Sequence, residues 1–216
     1  MKKMIAFTFT VLMMVSFAAC GADVGTENEN STNESQTEAG QTEAGQTEAG
    51  QTETGQTNGK ADAVALLKNI WDSYGADERF SVVGGDYSAE NNKMDEPGIF
   101  SLEDQDALDA SLAFPAASIA DIDEAASLIH MMNGNTFTCG AFHIKDVNNR
   151  DAVTTAIKGN IQNRQWICGF PDKFVIAAID DYIIAMFGDA EVIDNFKGKM
   201  TAVYSNAEIV CDEMIE

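Results

Sequence analysis

Residues 61–216 predict an α+β domain with a mainly antiparallel sheet of about four to five strands and about five helices. Three observations carry that class. Apolar residues recur at helical spacing in "DAVALLKNIWDSY" and in four later segments. The stretches "TFTCGAFHIK" and "KFVIAAIDDYIIAMFG" are rich in β formers and follow no helical period. Helices and β pairs are interspersed, without the repeated βαβ units of a parallel sheet.

The elements follow in order. Val64, Leu67, Ile70, Trp71 and Tyr74 make one face of a helix over 62–74 that stops at Gly75. "RFSVVGGDYS" reads as a short strand broken at Gly84-Gly85, where a bulge is expected. After an acidic loop, Ser101 with Asp104 forms a capping-box-like start for a helix carrying Leu102, Leu108 and Leu112, ended by Pro115. Ser118 with Asp121 repeats the device, which predicts a helix with Ile119, Ile122, Ala126 and Ile129 inward and Gly134 at its end. A strand over 136–145 follows. Asn148 or Asn149 caps a helix with Val153, Ala156, Ile157 and Ile161 inward, and two apolar runs around Asp180-Asp181 suit a hairpin. Asp189 starts the last helix, with Val192, Ile193, Phe196, Met200 and Val203 inward, and "AEIVC" adds a strand.

The segment before this domain is of another kind. Lys2 and Lys3 precede an apolar run, Met4 to Ala19, of 16 residues. That is short for a permanent span, which needs about 20, and it has the layout of a secretory signal peptide over residues 1–19. The ending "FAAC" looks like a bacterial lipobox, in which two small residues precede a cysteine that receives a diacylglycerol thioether and becomes the new N-terminus. Phe17 departs from the usual leucine. Cys20 is therefore the expected lipidation site, and its palmitate-like acyl chains would be a stable anchor. Cleavage after Ala18 would instead release the chain.

Residues 20–60 include three identical pentads, "QTEAGQTEAGQTEAG", and two variants of them. A period of five matches neither helix nor strand, and no unit carries a large apolar residue, so a disordered linker is expected. About 40 such residues reach roughly 35 Å, enough to hold a domain off a membrane.

Charge excludes two classes of partner. Residues 61–216 hold 27 acids against 10 bases, net −17, and residues 20–60 add net −7. Nucleic acid demands a basic footprint, and anionic headgroups would repel such a surface.

Few residues invite chemistry. His130 sits beside Met131 and Met132, a grouping that suits copper less well than helix capping or core packing. Cys139 and His143 are four apart on the expected strand, about 13 Å, too far to act as nucleophile and base. Cys139, Cys168 and Cys211 form no zinc or disulfide pattern and read as small buried hydrophobes. Gly84-Gly85-Asp86 lacks the Lys and following helix of a phosphate loop. The 11 acids of 86–124 show no calcium-loop spacing and suit a solvated face with helix N-terminal acids. "WICGFPDK" is the most distinctive stretch: Trp166 and Phe170 beside a Gly-Pro bend, with Tyr182 further along, are the candidate ligand pocket. No catalytic residue, metal ligand or cofactor is expected.

The leader, "GGDY", "LIHMMNGNTFTCGAFHIKD", "QNRQWICGFPDK" and "DYIIAMFG" together resemble a group of uncharacterised small lipoproteins of Gram-positive gut bacteria that carry a domain of unknown function. The resemblance implies a location and the extent of a domain, and transfers no site. The expectation is thus a lipid-anchored protein on the outer face of the cytoplasmic membrane, exposed in the cell wall, with a non-catalytic domain that binds a small molecule or an envelope protein. An envelope hydrolase is the alternative.

Overall fold

The computed structural model describes residues 62–167 and 169–216. The leader, Cys20, the repeats and Cys168 lie outside the described residues.

The first helix, α1 (Ala63–Asp72), starts where Asp62 accepts a 2.6 Å hydrogen bond from the Ala65 amide. It buries Leu66, Leu67, Ile70 and Trp71. Short strands β1 (Val82–Gly84), β2 (Lys93–Met94) and β3 (Gly98–Ile99) follow. Helix α2 (Gln105–Leu112) is capped by Asp104, whose carboxylate takes the Ala107 amide at 2.9 Å. The helix thus starts three residues later than the expected capping box would place it, with Asp104 rather than Ser101 in the capping position and Leu102 ahead of the helix.

The next segment corrects a prediction. Ala116–Asp121 is a short 3₁₀ turn, and Ile122–His130 is strand β4, where a helix over 118–134 was expected. Ala125 to Ile129 are all buried, because helices cover both sheet faces. A strand buried on both sides loses its alternation and can be mistaken for a helix. Strands β5 (Phe137–Ile144), β6 (Lys173–Ile179) and β7 (Tyr182–Gly188) are likewise almost wholly buried. Helix α3 (Arg150–Gln162) joins β5 to β6; β6 and β7 form the expected hairpin at Asp180-Asp181. Helix α4 (Ala190–Val203) then leads to β8 (Glu208–Met214).

All pairings are antiparallel, in an eight-stranded sheet ordered β2-β1-β4-β5-β7-β6-β8, with β3 beside β1 on β4. The class is α+β, as the sequence predicts, with more strands than the four to five expected. Two apolar layers result. Phe137, Cys139 and Ala141 face α1 and α4; Phe142 and Ile144, of opposite parity on the same strand, face α2 and α3. Residues 62–216 belong to one compact unit. Among the described residues no helix is long and apolar enough to cross a membrane.

Gly84 and Gly85 mark a crossing of backbones rather than a bulge. Gly85 has φ +93°, and a Cβ on Gly98 would lie 2.7 Å from the Gly84 carbonyl carbon. The fully buried Ser127 hydroxyl seals the crossing, accepting from the Gly85 amide at 2.8 Å and donating to its carbonyl at 2.9 Å.

Candidate functional site

A depression of about 420 Å³ opens on the α2/α3 face, at the end of the sheet where β4 passes into β5. That volume lies within the roughly 300–1,000 Å³ of small-ligand sites. Its floor is built by Ile129 of β4, Thr138 of β5 and Phe187 of β7. Its walls are the C-terminal half of α2 and the connection from α3 to β6, residues 164–167.

Sequence-distant contacts hold that connection in place. Asn135, in the β4–β5 loop, donates from its amide to the Ile167 carbonyl at 3.0 Å and the Gly169 carbonyl at 3.1 Å. Arg164 donates to the Asp109 carbonyl at 3.0 Å and to its carboxylate at 3.1 Å. The same guanidinium lies 5.7 Å from the Trp166 ring centroid, in cation–π range, and Trp166 packs 4.9 Å from Phe187. The loop aromatic is therefore clamped between α2 and the sheet.

Tyr87 forms the remaining wall, and its setting is unusual. It is 53% exposed and has φ +63°, left-handed backbone that is uncommon for a bulky residue and costs about 1–3 kcal/mol. Its neighbour Asp86 braces the loop, accepting from Ser88 N at 3.0 Å, Asn91 Nδ2 at 2.8 Å and Ser101 N at 3.1 Å. Burial alone would raise the Asp86 carboxyl, but these bonds outweigh it and hold it at about 2. The strain at Tyr87 is thus sustained by a fixed loop that presents an aromatic ring to solvent at the pocket mouth.

Of the three residues expected to line a pocket, Trp166 does so. Phe170 stands beside it, ring centroids 6.5 Å apart and 57% exposed. Tyr182 does not join them. It begins β7 whereas Phe187 nearly ends it; five residues are about 17 Å of strand, and an odd separation places the two on opposite faces. Tyr182 is buried instead against the α1/α4 layer, and donates to Glu124 at 3.2 Å. Burial, and after it Glu124, push its phenol well above the ordinary value, so it remains a donor. Sequence reasoning missed Tyr87, Arg164 and Asn135, for which no local signal existed.

A second cluster surrounds His143, which faces Asp123 through Nδ1 and Asp181 through Nε2, the latter at 2.9 Å. Both partners are acceptors when ionised, and a neutral imidazole donates from only one nitrogen. With both carboxylates ionised, a ring carrying both protons would donate to the two of them at once. With the Tyr182 ring 5.1 Å away, this group ties β4, β5 and the β6–β7 turn together. His143 and Cys139 lie along one strand, as expected.

His130 ends a strand, not a helix, because β4 replaced the predicted helix. Its Nδ1 accepts from the Met132 and Asn133 amides, each at 3.2 Å, and its ring stacks 5.6 Å from Phe80. Among the described residues no group of three His, Cys, Asp or Glu side chains is placed to hold a metal ion.

Cys139 and Cys211 are unpaired and buried. Burial pushes the Cys139 thiol far up; burial, then the Glu213 carboxylate, raise that of Cys211 to about 11. Both are expected to react with a maleimide at pH 7.5 at least tenfold more slowly than after denaturation in guanidinium; fast labelling of either in the native chain, read by mass spectrometry, would refute this.

No protein-family model, curated protein or solved structure matches the chain.

Proposed function

We propose that the protein is an extracytoplasmic lipoprotein, anchored through Cys20 to the outer face of the cytoplasmic membrane, whose domain binds a ligand without transforming it. The observation that carries the binding reading is the clamped aromatic depression: Trp166 and the strained, half-exposed Tyr87 over an apolar floor, with Arg164 already held by Asp109. Aromatic surface at a fixed mouth serves recognition, and a site of this composition offers orientation more than proton transfer. The envelope-hydrolase alternative would turn to His143, but both its ring nitrogens are already engaged by carboxylates, those of Asp123 and Asp181. The tether rests on the lipobox-like "FAAC" and the polar repeats after it.

Two measurements test the two halves. Cys20→Ala is expected to move the protein from the detergent phase to the aqueous phase in phase partitioning, and unchanged partitioning would refute the anchor. The uncharged dye Nile red is expected to bind the full chain, with Trp166→Phe and Tyr87→Ala each weakening it about tenfold. Dye binding indifferent to both substitutions would remove the pocket as the site.

A further inference from the structure

The aromatic depression is not isolated. It shares Ala110, Arg164 and Gln165 with a second depression of about 370 Å³, where Asp106 and Asp109 also contribute. The second shares Asp106 with a third, of about 500 Å³, lined by Glu103 and Asp104. The three depressions adjoin one another through these shared residues and follow α2 from Ser111 back to Glu103, a line called the trough below. From Ser111 back to Gln105 is about 9 Å of helical rise, and Glu103 lies two residues beyond it; an extended chain covers that length in about four to five residues.

The two ends of the trough differ in chemistry. One is aromatic and apolar, and flanked by Ile167, 79% exposed, and Phe170. The other presents Glu103, Asp104, Asp106 and Asp109 against the single guanidinium of Arg164. Asp109 is held by Arg164 and Asn160, and Asp104 caps α2. Glu103 and Asp106 have no side-chain partner among the described residues, so their charge faces solvent undiminished.

We infer that the trough takes a short extended peptide segment of a partner, with an apolar or aromatic side chain in the Trp166 depression and Lys or Arg three to four residues away on the Glu103–Asp106 shelf. This rests on the pocket reading above and adds the ligand class. Charge selects the sign: residues 61–216 carry net −17, so an anionic ligand is repelled throughout and a cationic one is drawn in. Extent selects a peptide over a small cation, because the apolar end and its exposed flank are covered only by a ligand that is itself apolar at one end.

The test uses the full chain and three capped peptides, acetyl-Phe-Gly-Gly-Lys-Lys-amide, its Glu-Glu counterpart, and the Lys-Lys peptide with Gly in place of Phe. Each displaces Nile red at 20 mM NaCl. The first peptide is expected to bind at least tenfold more tightly than either other. Its advantage over the Glu-Glu peptide should shrink severalfold at 300 mM NaCl, where exposed charges are screened. The double variant Glu103→Gln/Asp106→Asn should lose that advantage and keep its Nile red affinity. Equal binding of the Lys-Lys and Glu-Glu peptides, a preference that survives the double variant, or full binding without Phe would each overturn the inference. If Nile red still depends on Trp166 and Tyr87 in that event, the peptide class alone falls; if it does not, the pocket falls as well.

Discussion

Phe137→Ala is expected to destabilise the domain by about 4 kcal/mol, within the roughly 3–5 kcal/mol that removing a buried Phe costs. Phe137 is fully buried on β5, where its ring meets Phe80 at 5.3 Å and Phe196 at 5.0 Å. Phe196 belongs to α4, and Phe80 in turn stacks on His130 and packs edge-on against Trp71 of α1. The Phe137 ring therefore joins its strand to α4 directly and to α1 through Phe80. Its deletion leaves a cavity that rigid strands cannot collapse around, and removes two aromatic pairs worth about 0.5–1.5 kcal/mol each beyond area. A loss of that size lowers the folded-to-unfolded ratio about a thousandfold, out of a total stability of about 5–15 kcal/mol. Urea denaturation should show a lower midpoint at unchanged slope, and Phe137→Leu should recover more than half of the loss. A cost below about 1 kcal/mol would mean that the three rings do not form the junction described.

What the sequence disclosed follows from where each signal resides. Helices α1 and α2 were legible because helical stripes and the polar residues that start helices are local signals, although Asp104 and not Ser101 takes the cap of α2. The β6–β7 hairpin was legible because its turn separates two β-rich runs. Strand β4 was not. Ala125 and Ala126 favour helix intrinsically, and Ile122, Ala126 and Ile129 happen to satisfy a helical stripe; only pairing with β5 and cover from both faces decide the matter. Strands β2 and β3 are two residues long and carry no period at all. The site divides the same way. Trp166 and Phe170 stood out as aromatics beside a turn, but Tyr182 was grouped with them because a run buried on both faces does not reveal its parity. Asn135 reaches carbonyls 32 and 34 residues away, and Arg164 reaches Asp109 55 residues back. Such contacts exist only once the sheet has formed.

Gly84→Ala is expected to cost about 3 kcal/mol, the upper end for inserting one methyl group into a packed site. The reason lies in what the methyl would meet. A Cβ on Gly84 falls on the Gly98 amide nitrogen and the Glu96 carbonyl oxygen, which are backbone atoms and cannot rotate aside as a side chain would. To admit it, β1 must part from the 96–98 segment. That movement opens the antiparallel pairing of Gly98 with Ser127, and pulls Gly85 from the Ser127 hydroxyl that both accepts from and donates to it. The fully buried Ser127 hydroxyl and the Gly85 amide would then lack partners, at about 1–3 kcal/mol for each group left unsatisfied. The same crossing precedes Asp86 and Tyr87 in the chain, so the loop that presents Tyr87 at the pocket mouth loses its footing. The melting temperature should fall by roughly 6–12 °C, at about 2–4 °C per kcal/mol for a domain of this size. Nile red affinity at 20 °C should also fall, because the displaced loop no longer fixes the aromatic wall. Ser127→Ala, which removes the hydroxyl and adds no bulk, should reproduce a smaller part of both effects. A Gly84→Ala chain that melts within 2 °C of the parent would show that the two backbones do not cross as closely as described, and would detach Tyr87 from the fold that is held to position it.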